Sequence, residues 1–336
     1  MKGSGVFPIL WSDRQEDKVG EDKSMAGRQP APGQTVGILG AGAIGSYMVM
    51  GLSEKYGDRL WVIADGERKA RLEEQGLCIN GRPYSLHVRT PKQARGVDVL
   101  FVCLKYNGLY GALDDIATIA GEGTIVVSLL NGIDSEEIIG GRIGMEKLIY
   151  SLIRISAQRE GNAIHFPLPK GTTGIYIGMP GKDGGQDPKV QTVAQVLSGT
   201  PIVYHVSNDI LQDMWNKFGL NIARNLPQAV LGVGAGAYDD SIYVSDLCKK
   251  LRHEVVVIAR AKGVEISETF SPGDYKPSQR YSTLQDLDAG RVTEIEMFSG
   301  ALIRMGEQLK IPCPYNEMIY DLIKALEEKN SGRFTY

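Results

Sequence analysis

Val36-Gly37-Ile38-Leu39-Gly40-Ala41-Gly42-Ala43-Ile44-Gly45, leading into Ser46–Leu52, is the stretch that decides the fold. The apolar run reads as a buried strand and Ser46–Leu52 as the start of a helix. Between them lies G-x-G-x-x-G, and only in that context does the motif point to a dinucleotide. The first glycine allows a tight turn. The second lets a pyrophosphate approach the backbone. The third lets helix and strand pack closely, with the helix N-terminus aimed at the phosphates. The next apolar run, Leu60–Ala64, ends in Asp65, about twenty residues on, where a carboxylate can hold a ribose 2′-hydroxyl. A lone G-x-G-x-x-G is often only a flexible loop. Here strand, helix and acid are in register, so Gly40, Ala41, Gly42, Ala43, Ile44, Gly45 and Asp65 are the cofactor-binding candidates.

From Gln34 to about Ser207 the pattern alternates. Val99–Leu104, Thr124–Leu130 and Leu148–Ile155 are near-continuous apolar runs, as parallel strands buried on both faces should be. Asn107–Ala120 and Ser135–Ile143 between them are helix-compatible. Ala163–Phe166 and Gly174–Ile177 read as short later strands, Gly181–Gln186 as a turn, and Val190–Leu197 as a helix. This predicts an α/β fold: a Rossmann-like, doubly wound parallel sheet over residues 34–207. After about Asn208 the reading is all-helical: Ile210–Arg224 ending near Pro227, Ser241–Lys262 stopped at Gly263, Thr293–Leu309 and Tyr315–Lys329. Ser267–Arg280 reads as a surface loop. Residues 208–336 are thus expected to form a helical substrate and dimerisation domain, with a cleft between the two parts.

At 336 residues the chain is long enough for about two domains. A net charge of −3 shows no basic excess for nucleic acid or an anionic membrane. No apolar stretch reaches the roughly 18 residues of a membrane span. The four cysteines are far apart without C-x-x-C, which reads as free thiols in a reducing, cytoplasmic setting. The four histidines show no metal-ligand spacing, so no metal site is expected. The first 33 residues are charge-dense and close in Gln29-Pro30-Ala31-Pro32-Gly33; they read as a mobile N-terminal extension whose one apolar island is Val6–Trp11.

The chemistry-bearing pattern lies in Trp215–Pro227. Lys217, Asn221 and Asn225 stand at i, i+4 and i+8, so on a helix each is offset by about 40° and rises about 6 Å. A solvated face is the bland reading. Two asparagines on one stripe argue against it, because asparagine is a poor helix former. Ser282–Asp286 and Thr293–Glu296 each read alone as a helix cap or a surface acid.

Together these segments resemble the ketopantoate reductase (2-dehydropantoate 2-reductase) family. The matching stretches are GAGAIG at 40–45, Lys105 in FVCLKYNGL, Asn131 in LLNGID, AQREGN at 157–162, KFGLNIARN at 217–225 and STLQDLDAGRVTEIE at 282–296. The likeness spans about Gln34 to Lys329, and its last two segments are specific to this family. It implies reduction of ketopantoate to pantoate, on the route to pantothenate and coenzyme A, with hydride from NADPH. It implies Lys217 as proton donor, with Glu294 beside it as the other catalytic candidate and a cofactor contact. It implies Asn221, Asn225 and Ser282 as substrate-binding residues, Asn131 as a residue touching both nicotinamide and substrate, and Lys105 and Ala157 as cofactor contacts. The residue types suit the reaction: an ammonium can stabilise and protonate the oxyanion left by hydride addition, while amides and a hydroxyl bind carboxylate and hydroxyl without competing charge. Partial burial should lower the Lys217 pKa, and Glu294 should oppose the drop.

Two departures qualify the likeness. Asp65 stands where many members carry an arginine for the NADP 2′-phosphate, which favours NADH unless Arg68, Lys69 or Arg71 reaches back. Gly232–Gly236 lacks a further substrate-binding asparagine found in some members, which leaves room for a branched 2-oxo acid without the hydroxyl arm. The competing readings are an NADH-dependent D-2-hydroxyacid dehydrogenase on bulky 2-oxo acids and a dinucleotide-binding redox sensor without turnover. Apolar area on the C-terminal helices is compatible with a homodimer.

Overall fold

The structure, a computed structural model, describes residues 33–336 except 156, 161–162, 167–172, 182, 270–274 and 335, and the backbone but not the side chains of 158–160. The expected extension, with Val6–Trp11, therefore lies outside the described residues except for Gly33. So do Gly161 and Asn162 of the AQREGN match and part of the 267–280 loop.

Twelve described strands run in chain order: β1 (Val36–Leu39), β2 (Leu60–Ile63), β3 (Leu77–Ile79), β4 (Arg82–Tyr84), β5 (His87–Arg89), β6 (Val99–Val102), β7 (Ile125–Ser128), β8 (Leu148–Arg154), β9 (Gln158–Glu160), β10 (Ala163–His165), β11 (Gly174–Gly178) and β12 (Tyr204–Val206). The described helices are α1 (Ala43–Tyr56), α2 (Gly66–Gln75), α3 (Leu109–Ile119), α4 (Ser135–Ile143), α5 (Pro188–Leu197), α6 (Ile210–Leu231), α7 (Ala237–Asp240), α8 (Ile242–Ala261), α9 (Ser282–Asp288), α10 (Ser299–Leu309) and α11 (Pro314–Asn330). None is long and apolar enough to cross a membrane.

The main sheet has the order β12-β11-β8-β7-β6-β1-β2-β5. From β5 to β8 every pairing is parallel, and β1 and β6 are buried at all four positions, as a strand covered on both faces must be. β11 departs from the expected all-parallel sheet: it runs antiparallel to β8. The strand order reverses between β1 and β6, which opens a crevice beyond their carboxyl ends. A smaller sheet, β4-β3-β10-β9, lies apart. Its three-residue strands, like β5, are too short to show a period in sequence.

The faces of the main sheet feed two cores. Ile38, Val62, Phe101, Ile149 and Ile153 pack with α1 and α5. Leu39, Leu100, Val102, Leu148 and Leu152 pack instead with α3, α4 and the C-terminal helices α6, α8, α10 and α11. The helical part therefore shares a core with one sheet face, and α6 lies against β8.

Two helix boundaries differ from expectation. α6 does not stop near Pro227 but continues through it to Leu231. A proline inside a helix costs about 3 kcal/mol, because it removes one hydrogen bond and crowds the preceding turn. Burial of Phe218, Ile222 and Leu226, each contributing about 1.5–3 kcal/mol, offsets that cost. The carbonyl left without its helical donor is that of Ala223, four residues before the proline; the Tyr238 hydroxyl donates to the next one, Arg224 O. In the other case Thr293–Leu309 is not one helix. Thr293 donates through N and Oγ1 to Glu327 at 2.7 and 2.6 Å, and Glu294 accepts from Tyr106 N at 2.9 Å. These bonds hold the segment off a helical path until a 3₁₀ turn at Ile295–Met297, and α10 starts only at Ser299.

Candidate active site

The turn from β1 to α1 sits at the reversal of strand order. Gly40 has φ +104°, and a Cβ on it would meet the Cys103 carbonyl oxygen at 2.7 Å. A Cβ on Gly45 would lie 1.8 Å from the Gly40 carbonyl oxygen, so strand and helix approach only because both are glycine. Gly42 differs: nothing lies within 4 Å of where its Cβ would be. Gly42 is the N-cap of α1, no side chain caps that end, and no acid stands in its first turn. Open space above uncapped N–H groups is what a pyrophosphate requires, so the residues present fit a dinucleotide. Ala41, Ala43 and Ile44 are half-buried around it. Asp65 is exposed two residues past β2 and caps α2, accepting from Gly66 N at 2.7 Å.

Lys217, on α6, points back across the cleft to the carboxyl ends of the central strands. Its Nζ donates to Asn131 Oδ1 at 2.7 Å, in the loop after β7, and to the Ile153 carbonyl at 2.5 Å, near the end of β8. Burial pulls the amine down from the usual lysine range to about 7; the Arg154 charge adds to the drop, while Glu294 and Glu136 oppose it. Asn221 and Asn225 follow on the same stripe, half-buried and buried respectively. Among the described residues neither amide, nor the exposed Ser282 hydroxyl at the start of α9, has a side-chain hydrogen-bond partner. They remain open to a ligand.

α9 packs on α6, and the approach to it is held by Gln228. This fully buried residue donates to Gln279 O at 2.9 Å and accepts from Tyr281 N at 2.5 Å, just before Ser282. The glycine-rich stretch after α6 serves the same loop. Gly236 N donates to Pro277 O at 2.9 Å and Ala235 N to Gln279 O at 3.0 Å. A Cβ on Gly234 would come within 2.3 Å of Pro277 O, so no larger side chain fits there.

Glu294 is raised by burial; its bond from Tyr106 N and the charges of Lys105 and Lys217 partly counter this. It lies close enough to Lys217 for their charges to interact, without a direct ion pair. Lys105 is mostly exposed at the end of β6 and is held by Asp286, 3.4 Å from Nζ; Arg291 grips the same carboxylate at 2.7 Å. Asp286 therefore belongs to the site, although its sequence context reads as a surface acid. Ala157 is half-buried just past β8. It lines an open cavity of about 1140 Å³ with His165, Phe166 and, from α9, Gln285. Lys217 does not line this cavity, which adjoins the cleft through α9. Gln228, the Ile153 carbonyl and Arg154 escape sequence reasoning, because only the fold brings them to Lys217 or Ser282.

Residues 36–179 match the family described as Ketopantoate reductase PanE/ApbA, and residues 209–327 match its C-terminal family. A curated 2-dehydropantoate 2-reductase of Archaeoglobus fulgidus is 27% identical over 300 residues, covering 88% of this chain and 98% of that protein. A PanE/ApbA family ketopantoate reductase from Ralstonia eutropha JMP134 superposes with a TM-score of 0.71 at 23% identity, covering 89% of this chain and all of that one. A D-mandelate dehydrogenase bound to NADH and anilino(oxo)acetate superposes with a TM-score of 0.75 at 22% identity, over the same shares. At those identities the two structures speak to the fold alone.

Proposed function

The chain belongs to the ketopantoate reductase family, and from that premise we propose that it reduces 2-dehydropantoate to pantoate with a reduced nicotinamide dinucleotide. The carrying observation is the Lys217 amine, sunk in the cleft, tied to Asn131 and the Ile153 carbonyl and brought down to about 7. The curated relatives named 2-dehydropantoate 2-reductase support the substrate.

In this reading the α1 N-terminus holds the pyrophosphate, Asp65 a ribose, and Asn131, Ala157, Lys105 and Glu294 the nicotinamide half. When bound, the cofactor supplies the hydride. Lys217 delivers its proton to the developing alkoxide, and a pKa near neutrality lets it give that proton up and regain it. The Asn131 and Ile153 oxygens fix the amine's direction. Asn221, Asn225 and Ser282 offer hydrogen bonds to the acid and its hydroxyl arm.

For the cofactor we propose a preference for NADH. Asp65 is exposed where a 2′-phosphate would fall, and Lys69, one cation able to reach back, is paired with Glu73. Burial raises the Asp115 carboxyl, and the Asp65 charge adds to the rise, so a second acid shares this corner. Repulsion on the scale of about 1–2 kcal/mol gives NADH an advantage of about 5- to 30-fold in kcat/KM. Assaying a panel of 2-oxo acids with both reduced cofactors tests substrate and cofactor together. Turnover of 2-dehydropantoate with NADH ahead is the expected result. A clear NADPH preference overturns the Asp65 argument, and turnover of no 2-oxo acid overturns the reductase reading. Neither the D-2-hydroxyacid dehydrogenase nor the sensor is favoured over this assignment.

We assign residues 34–207 to the dinucleotide and 208–336 to substrate and to self-association. Tyr315, Met318 and Leu322 form a partly exposed apolar stripe on α11, which supports a homodimer. Light scattering should give twice the chain mass, and Met318→Lys should return it to one; a monomer at micromolar concentration contradicts the assignment.

A further inference from the structure

Arg154 is the last residue of β8, next to the Ile153 carbonyl that holds Lys217. Side chains alternate across a strand. Tyr150 and Leu152 face the core shared with α6, so Arg154 leaves the sheet on the α6 side. Its guanidinium lies over the Tyr176 ring, 5.1 Å from the centroid, on the neighbouring β11. Tyr176 is in turn stacked against His205 at 4.5 Å. Among the described residues no carboxylate pairs with Arg154. It is therefore a half-buried cation, set on an aromatic face beside the Lys217 amine, with no counter-ion among the described residues.

A planar guanidinium matches a carboxylate through two parallel hydrogen bonds, and a stacked one has already lost much of its rotamer freedom. We propose that Arg154 receives the carboxylate of the 2-oxo acid and sets the preference for an anionic over a neutral carbonyl substrate. This rests on the reductase reading above. It adds a charged anchor to the neutral set Asn221, Asn225 and Ser282. It also links binding to proton delivery. In the free protein the Arg154 charge helps hold the Lys217 amine down, against Glu294 and Glu136. A carboxylate seated on Arg154 offsets that repulsion, so substrate arrival favours the protonated amine just when a proton is needed.

The test compares wild type with Arg154→Gln and Arg154→Lys, using a 2-oxo acid and its methyl ester. Arg154→Gln should raise KM for the acid by about 10- to 100-fold, leave KM for the ester and the reduced cofactor within about twofold, and move the basic limb of kcat/KM to higher pH. Arg154→Lys should restore part of the acid affinity but not all of it, because its point charge lacks the fork. Acid and ester KM values that change together, or an acid KM within twofold of wild type, overturn the proposal. Wild type without turnover of any 2-oxo acid points instead to failure of the reductase reading itself.

Discussion

Lys217→Ala lowers kcat for 2-oxo acid reduction by about 10²- to 10⁴-fold, the range set by loss of a positioned general acid, and leaves the dissociation constant of the reduced cofactor within a few-fold of wild type. The separation follows from where the amine ends. Its bonds run to Asn131 and the Ile153 carbonyl, at the carboxyl ends of β7 and β8, and not to the α1 turn where a pyrophosphate would sit. The pH profile carries the same residue. In the proposed role the protonated amine is the active form for reduction, and burial with the Arg154 charge brings it down from the usual lysine range to about 7. kcat/KM for reduction should therefore reach its plateau about a unit below pH 7, stand at half near 7 and fall about tenfold per pH unit above it, a limb that vanishes in Lys217→Ala. Steady-state rates across pH 5.5–9, roughly two units to either side, with cofactor fluorescence titration, check both parts. A variant that keeps turnover within a few-fold returns Lys217 to a structural role.

The second large effect is at the phosphate turn. Gly45→Ala places a methyl carbon 1.8 Å from the Gly40 carbonyl oxygen, and the nearest atom is backbone, which cannot rotate aside. The turn must open, so loss of stability should reach about 3 kcal/mol, the top of the usual overpacking range, together with loss of cofactor binding. Gly42→Ala separates the two. Its methyl meets nothing within 4 Å, so the melting temperature should stay close to wild type. The same methyl occupies the space a pyrophosphate needs, so dinucleotide affinity should fall by about 100-fold. Thermal melts and fluorescence titration of both variants read the pair. Wild-type affinity in a folded Gly42→Ala protein would remove the phosphates from the α1 N-terminus.

Much of this site is visible in the chain itself. The Gly40–Gly45 turn, its strand and its helix are contiguous, so each local signal supports the others. Runs such as Val99–Val102 announce double burial because a parallel strand has no solvent face. The Lys217, Asn221, Asn225 stripe shows because helical spacing is local. The misreadings share a cause. Pro227 marks a helix end by local rules, yet α6 passes through it, because the apolar face it buries outweighs the local penalty. Ser282–Asp286 reads alone as a cap or surface acid, since the helix it opens, Ser282–Asp288, is only 7 residues long and carries little periodicity. Asp286 matters only through Lys105 and Arg291, the former 181 residues away.

The amino-acid order by itself determined the nucleotide-binding turn, the alternation of strands with helices and the line of polar groups on α6, because these depend on φ/ψ preference and periodicity over a few residues. Tertiary structure alone decided the antiparallel pairing of β11 on β8, the meeting of Lys217 with Asn131 and Ile153 across 86 and 64 residues, and the place of Arg154 on Tyr176 beside them. An amine is brought near neutral pKa by the apolar surroundings and charges that folding collects around it, and those come from strands and helices far apart in the chain.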